Sequence, residues 1–82
     1  AETVQEYLAA AFETEDSAFI AYALGVVARA HGMTTLAAET GLTRQTLYKA
    51  LSAEGNPELA TVLKVAHALG FRLVPERVPE PA

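Results

Sequence analysis

The sequence contains no cysteine. It therefore holds no disulfide framework and no thiolate metal site, which suits a reducing cytoplasm. No stretch approaches the run of about 18 apolar residues that a membrane-spanning helix needs. The first residues lack the basic-then-apolar pattern of a secretory leader, so the expected localisation is cytoplasmic, with no membrane partner. There is no glycine-rich phosphate loop, and the acidic start lacks the D-x-D-x-D-G spacing of a calcium loop. His31 and His67 are the only histidines, and neither is joined by Cys, Asp or Glu at metal-ligand spacing. His31, next to Gly32, suits a helix end, where its charge complements the dipole. Ser17 and Ser52 have no paired base in sequence context. The expectation is a non-enzyme with no catalytic residue, metal, cofactor or small-molecule substrate.

Positive charge is also scarce. Six Lys and Arg stand against ten Asp and Glu, a net charge of −4 at pH 7. The distribution is uneven. Residues 1–28 hold Glu2, Glu6, Glu13, Glu15 and Asp16 and no cation. Residues 29–74 hold Arg29, Arg44, Lys49, Lys64 and Arg72 against Glu39, Glu54 and Glu58, a surplus of two positive charges. Such asymmetry predicts two faces with different partners, against the plainer reading of a solvated acidic face.

What is present is apolar. Of 82 residues, 51% are hydrophobic, enough for one core and one domain. A chain of this size buries only about 60–65% of its unfolded surface, so a dimer is favoured on energetic grounds. The periodicity predicts five helices. In the first, Thr3–Glu13, Val4, Tyr7, Leu8, Ala11 and Phe12 form one stripe. The second, Ser17–His31, is capped by Asp16 and stopped by Gly32. It carries two stripes, one of Phe19, Tyr22, Ala23, Val26 and Ala30 and one of Ile20, Leu24 and Val27, as a central helix would. The third runs over Thr35–Thr40 and the fourth over Arg44–Ala53, capped by Thr43. The fifth opens on the Asn56-Pro57 cap and reaches Leu69, with Leu59, Val62, Leu63, Ala66 and Leu69 inward.

Residues 71–74, "FRLV", alternate between Gly70 and Pro75 and read as a strand. One strand cannot stand alone. Phe71, Arg72, Leu73 and Val74 are therefore expected to pair with the same segment of a second chain across a two-fold axis. The domain spans 1–74, and the proline-rich 75–82 is a flexible tail.

The stretch "ETGLTRQTLYKALS", residues 39–52, reads as the turn and second helix of a helix-turn-helix. That motif needs a small residue at the helix approach, a residue tolerant of positive φ in the turn, and apolar anchors. Ala37, Gly41 and the set Leu36, Leu42 and Leu47 supply these, with Ala50 and Leu51 extending the buried face. Arg44, Gln45, Tyr48, Lys49 and Ser52 then share the exposed face. Arg44 and Gln45 stand at the end that reaches base edges, where Arg suits guanine and Gln adenine. Lys49 suits a base or a phosphate, and Tyr48, Thr43 and the backbone suit phosphates. Arg29 and Lys64 could flank the groove. The competing reading is an inert helical hairpin.

From Ala18 to Pro75 the chain resembles addiction-module antidotes, a HigA-like branch of the Xre/lambda-repressor-like helix-turn-helix regulators. The resemblance is carried by "LAAETGLTRQTLYKALSAEGNPELATVLKVAHALGFRL" and, more loosely, "GVVARAHGM". It implies an all-α, five-helix lambda-repressor-like domain. It also implies an antitoxin of a bacterial type II toxin–antitoxin module, binding operator DNA as a homodimer to repress its own operon. The implied second partner is a toxin of the RelE/ParE type. Motif matching places Thr43, Arg44, Gln45 and Lys49 on DNA and Tyr48 on its backbone. Toxins acting on ribosome-bound RNA tend to be basic, so the acidic residues of 1–28 would suit one. A rival toxin surface is the C-terminal strand and tail, added to a sheet edge. Two alternatives remain: a protein-interaction module that inhibits a partner without reading DNA, and a transcriptional regulator without a toxin.

Overall fold

A computed structural model describes residues 3–79, which contain five α-helices and no strand. The first helix, α1 (Val4–Glu13), is set by a capping box. The Thr3 hydroxyl accepts from the Glu6 backbone N–H at 3.0 Å, and the Thr3 N–H donates to Glu6 Oε1 at 2.9 Å. Two otherwise unpaired donors are satisfied at once. The turn into the next helix passes through Glu15 at φ 56°. Asp16 then accepts from the N–H groups of Ala18 and Phe19, starting α2 (Ser17–His31) as the sequence predicts. Among the described residues no helix is long and apolar enough to cross a membrane.

The next boundaries differ from expectation. Helix α3 (Met33–Thr40) begins two residues early. Gly32, at φ 109°, ends α2 and starts α3 in one step, which lets Met33 into the core. Helix α4 (Arg44–Ala50) stops three residues short of Ala53. Leu51 leaves helical geometry at φ −101° and ψ 46° because its side chain is drawn fully into the core. Helix α5 (Leu59–Ala68) starts after Asn56-Pro57 rather than on it, with Glu58 extended as its N-cap. Pro57 disfavours helical backbone at Asn56, and the helix does not begin until the extended Glu58 has been passed. At its far end α5 closes in a Schellman arrangement around Gly70. Phe71 N–H donates to the Ala66 carbonyl at 2.8 Å, and Gly70 N–H donates to His67 at 3.0 Å.

The core is built from Leu24, Leu36, Leu47, Leu51 and Val65, all fully buried, with Leu8, Ala11, Ala23, Ala28 and Met33 around them. Helix α1 packs on α2, α2 on α3, and α3 on both α4 and α5. Two predicted stripes are corrected. On α5 the inward face is Val62, Val65, Ala66 and Leu69, while Leu59 and Leu63 are exposed. Positions 59, 62, 63, 65, 66 and 69 are all apolar, so periodicity alone fits two overlapping faces. On α2, Ile20, Leu24 and Val27 turn inward as expected, but Phe19, Tyr22 and Val26 face away from the core and are exposed. Helix α2 is therefore covered on one side and open on the other.

The predicted strand at 71–74 is absent as regular structure within the single chain. Its alternation is nevertheless present. Phe71 and Leu73 are half-buried, with Phe71 against the core, while Arg72 and Val74 are exposed. Residues 75–79 carry no regular structure, and the remaining tail residues 80–82 lie outside the described range, as does Glu2.

Candidate nucleic-acid interface

Helix α4 is held at both ends. At its start, Gly41 ends α3 in the left-handed region at φ 76° while its N–H donates to the Ala37 carbonyl at 2.9 Å. A residue with a Cβ is strained in that geometry. The Thr40 hydroxyl donates to the Leu36 carbonyl and accepts from Leu42 N–H, which fixes the turn. Thr43 then caps α4, accepting from Thr46 N–H at 3.0 Å. At the far end, Leu51 sits against Gly25 of α2. A Cβ on Gly25 would overlap the Leu51 carbonyl oxygen, so only glycine allows this approach.

Between these anchors Leu47 is fully buried. At about 100° per residue, Gln45 and Lys49 stand opposite Leu47, with Arg44 and Tyr48 on one flank. Arg44, Gln45 and Lys49 are exposed, and Tyr48 retains 41% exposure. The Arg29 guanidinium lies 5.7 Å from the centroid of the Tyr48 ring, within cation–π range. Arg29 thereby joins the α4 surface from α2. Ion pairing among the described residues is confined to His31 Nε2 and Glu39 Oε1, at 2.8 Å. That pair links the end of α2 to α3 and leaves Arg29, Arg44 and Lys49 outside any ion pair in this range. Chemically, the surface offers two guanidinium groups, one ammonium, one amide and one phenol.

Two of the predicted contact residues are occupied differently from the rest. Ser52 lies beyond the end of α4, half-buried, and its hydroxyl donates to the Lys49 carbonyl at 3.1 Å. It is not on the exposed helical face, because the helix ends before reaching it. The Thr43 hydroxyl accepts from the Thr46 N–H and donates to Thr46 Oγ1 at 2.8 Å, so it serves the cap. Sequence reasoning missed Gly25. The available signal was a lone glycine inside an otherwise unbroken helical pattern.

The acidic segment is partly structural. The Glu6 carboxylate closes the α1 capping box, and the Asp16 carboxylate caps α2. Thr3, first through its backbone N–H and then through its hydroxyl, holds the Glu6 carboxyl below its usual value. Glu13 and Glu15 are exposed.

Comparison with known proteins gives the chain a family. Residues 1–76 match the family described as "Probable addiction module antidote protein". An uncharacterised protein of Haemophilus influenzae is 44% identical over 71 residues, covering 87% of this chain and 73% of that protein. No solved structure matches. With nearly its whole length matched, this five-helix chain belongs to the addiction module antidote family.

Proposed function

We propose that this chain is the antitoxin of a type II toxin–antitoxin module. In this reading it binds operator DNA as a dimer through α4, represses its own operon and neutralises a basic toxin of the RelE/ParE type. Membership of the antidote family supports a toxin partner. The observation that carries the DNA reading is the exposed, unpaired polar face of α4, Arg44, Gln45, Tyr48 and Lys49. That face stands on a helix anchored by Leu47 and set off from α3 by the Gly41 turn. The arrangement fits a helix-turn-helix of the HigA-like, Xre and lambda-repressor-like kind, with α4 in the major groove. Exposed Leu59, Leu63 and Val74 support self-association near the 71–74 segment.

A mobility shift on DNA upstream of the chain's own gene tests this. The wild-type protein should retard the fragment, and Arg44→Ala with Gln45→Ala should abolish the shift without lowering the melting temperature. Both side chains are exposed, so their loss leaves the core intact. Retention of the shift by the double variant would overturn the assignment of α4. The protein-interaction alternative is favoured by the exposed Phe19, Tyr22 and Val26, and it predicts no shift even for the wild type.

A further inference from the structure

The outward side of α2 is apolar where a solvated helix face would be polar. Phe19, Tyr22 and Val26 are 43%, 46% and 39% exposed and occupy positions i, i+3 and i+7. Tyr22, Val26 and Ala30 of α2 and Val4 and Tyr7 of α1 line an open groove of about 410 Å³, with Phe19 on the same face of α2 beyond its lining. Val4 is itself exposed. Exposed apolar surface of this kind marks an interaction site, and large aromatic side chains such as Tyr22 are the type that dominates binding energy.

The charge around this surface selects the occupant. Residues 3–28, which supply all of this surface but Ala30, hold Glu6, Glu13, Glu15 and Asp16 and no cation, and the neighbouring Arg29 is turned to the Tyr48 ring. A second copy seated here across a two-fold axis would bring two such segments together, and like charges across an interface are rejected. Nucleic acid is rejected for the same reason. A basic protein surface with an apolar ridge fits both features. We propose that the Phe19–Tyr22–Val26 face of α2, with Val4 and Tyr7 of α1, docks the basic toxin of the module. This rests on the antitoxin reading above. The apolar side chains supply the affinity, and the acids speed and orient the encounter.

The probe is the protein encoded beside this chain's gene, purified and titrated calorimetrically with the full chain. Replacing Tyr22→Ser and Val26→Ser together should weaken binding by about tenfold or more at every salt concentration, as loss of central apolar contacts does. Val26→Lys should do the same by placing a cation against a basic surface. Glu13→Gln with Glu15→Gln should weaken binding only at low salt, because exposed charges are screened. All variants should keep the wild-type melting temperature and the operator shift.

If Tyr22→Ser with Val26→Ser and Val26→Lys bind within about twofold of wild type, the docking face is wrong while the antitoxin reading stands. If the wild-type chain does not bind the neighbouring protein, the antitoxin reading falls and takes this inference with it. If the α2 variants instead convert the free chain from dimer to monomer in sedimentation, the face is a self-interface and the inference is overturned.

Discussion

Replacing Gly25 by alanine sets two effects against each other, and their magnitudes decide the outcome. In a helix interior alanine is favoured over glycine by about 1 kcal/mol. If α2 were an isolated helix, Gly25→Ala would stabilise it. In the folded chain the new Cβ would overlap the Leu51 carbonyl oxygen and crowd an Arg29 guanidinium nitrogen at 3.1 Å. The arginine can move, but the carbonyl cannot, because Leu51 is fully buried and ends α4. Relief therefore requires α2 and α4 to separate. Overpacking of this kind costs about 1–3 kcal/mol, and a backbone obstacle places it at the upper end. The net loss is about 2 kcal/mol, or a fall of about 8–16 °C in melting temperature for a domain of this size. Thermal unfolding followed by circular dichroism measures it. Gly41→Ala is the control. It meets no atom within 4 Å and suffers only from its φ of 76°, a cost of about 1–2 kcal/mol. A rise in melting temperature for Gly25→Ala would refute the close approach of α2 and the end of α4. On the proposed function the same variant also weakens operator binding, since it displaces the helix that carries Arg44 and Lys49.

Thr43→Ala should cost about 1 kcal/mol, visible as a lower melting temperature, because the cap on Thr46 N–H is lost. Arg29→Ala should flatten the dependence of operator affinity on salt by roughly 0.9 per protomer if its guanidinium neutralises a phosphate. An unchanged slope in mobility-shift titrations would limit Arg29 to supporting Tyr48. The Glu6 carboxyl is held below its usual value by Thr3, so its contribution is fully present above the ordinary glutamate range. That contribution disappears as the pH falls through the depressed value. Glu6→Gln can keep the cap without the charge. From neutral pH to about pH 3 it should therefore lose less melting temperature than wild type, and identical profiles would show that the capping box carries no charge-dependent stability.

The elements set by local chemistry were legible in the sequence. The bounds of α2 follow from Asp16 and Gly32, and the turn before α4 follows from Gly41 and Thr43, because caps and positive φ are properties of single residues. Leu36 and Leu47 were found for the same reason, since the α3–α4 turn fixes which sides face inward. The misreadings occurred where tertiary packing chooses between local options. On α5 the apolar positions 59, 62, 63, 65, 66 and 69 fit two overlapping faces, so Val65 rather than Leu59 entered the core on grounds no periodicity contains. Helix α4 ended early because burying Leu51 was worth more than another turn of helix, and Ser52 left the exposed face with it. Gly25 could not be distinguished from an ordinary weak point in a helix until its opposing carbonyl was in place.

The negative charge of the chain and the proposed DNA-facing role of α4 are compatible because of where α2 runs. Glu13, Glu15 and Asp16 lie at the turn where α2 begins, and Arg29 lies near its other end. Thirteen residues of helix separate Asp16 from Arg29, a distance of about 20 Å. At physiological salt the Debye length is about 8 Å, so exposed acids at one end are largely screened from a polyanion approaching the other. Two of the acids are further committed to helix caps, Glu6 on α1 and Asp16 on α2, where their charge complements a helix start. The same helix thus borders two surfaces of different character. Its outer apolar stripe lies in the acidic segment, and its last turn delivers Arg29 to Tyr48. On the proposed reading, Arg29, Arg44 and Lys49 give this surface few cations, so non-specific attraction to DNA is weak. On the proposed reading, discrimination therefore rests on the base-edge chemistry of Arg44 and Gln45, and a second copy of the domain is needed for useful affinity.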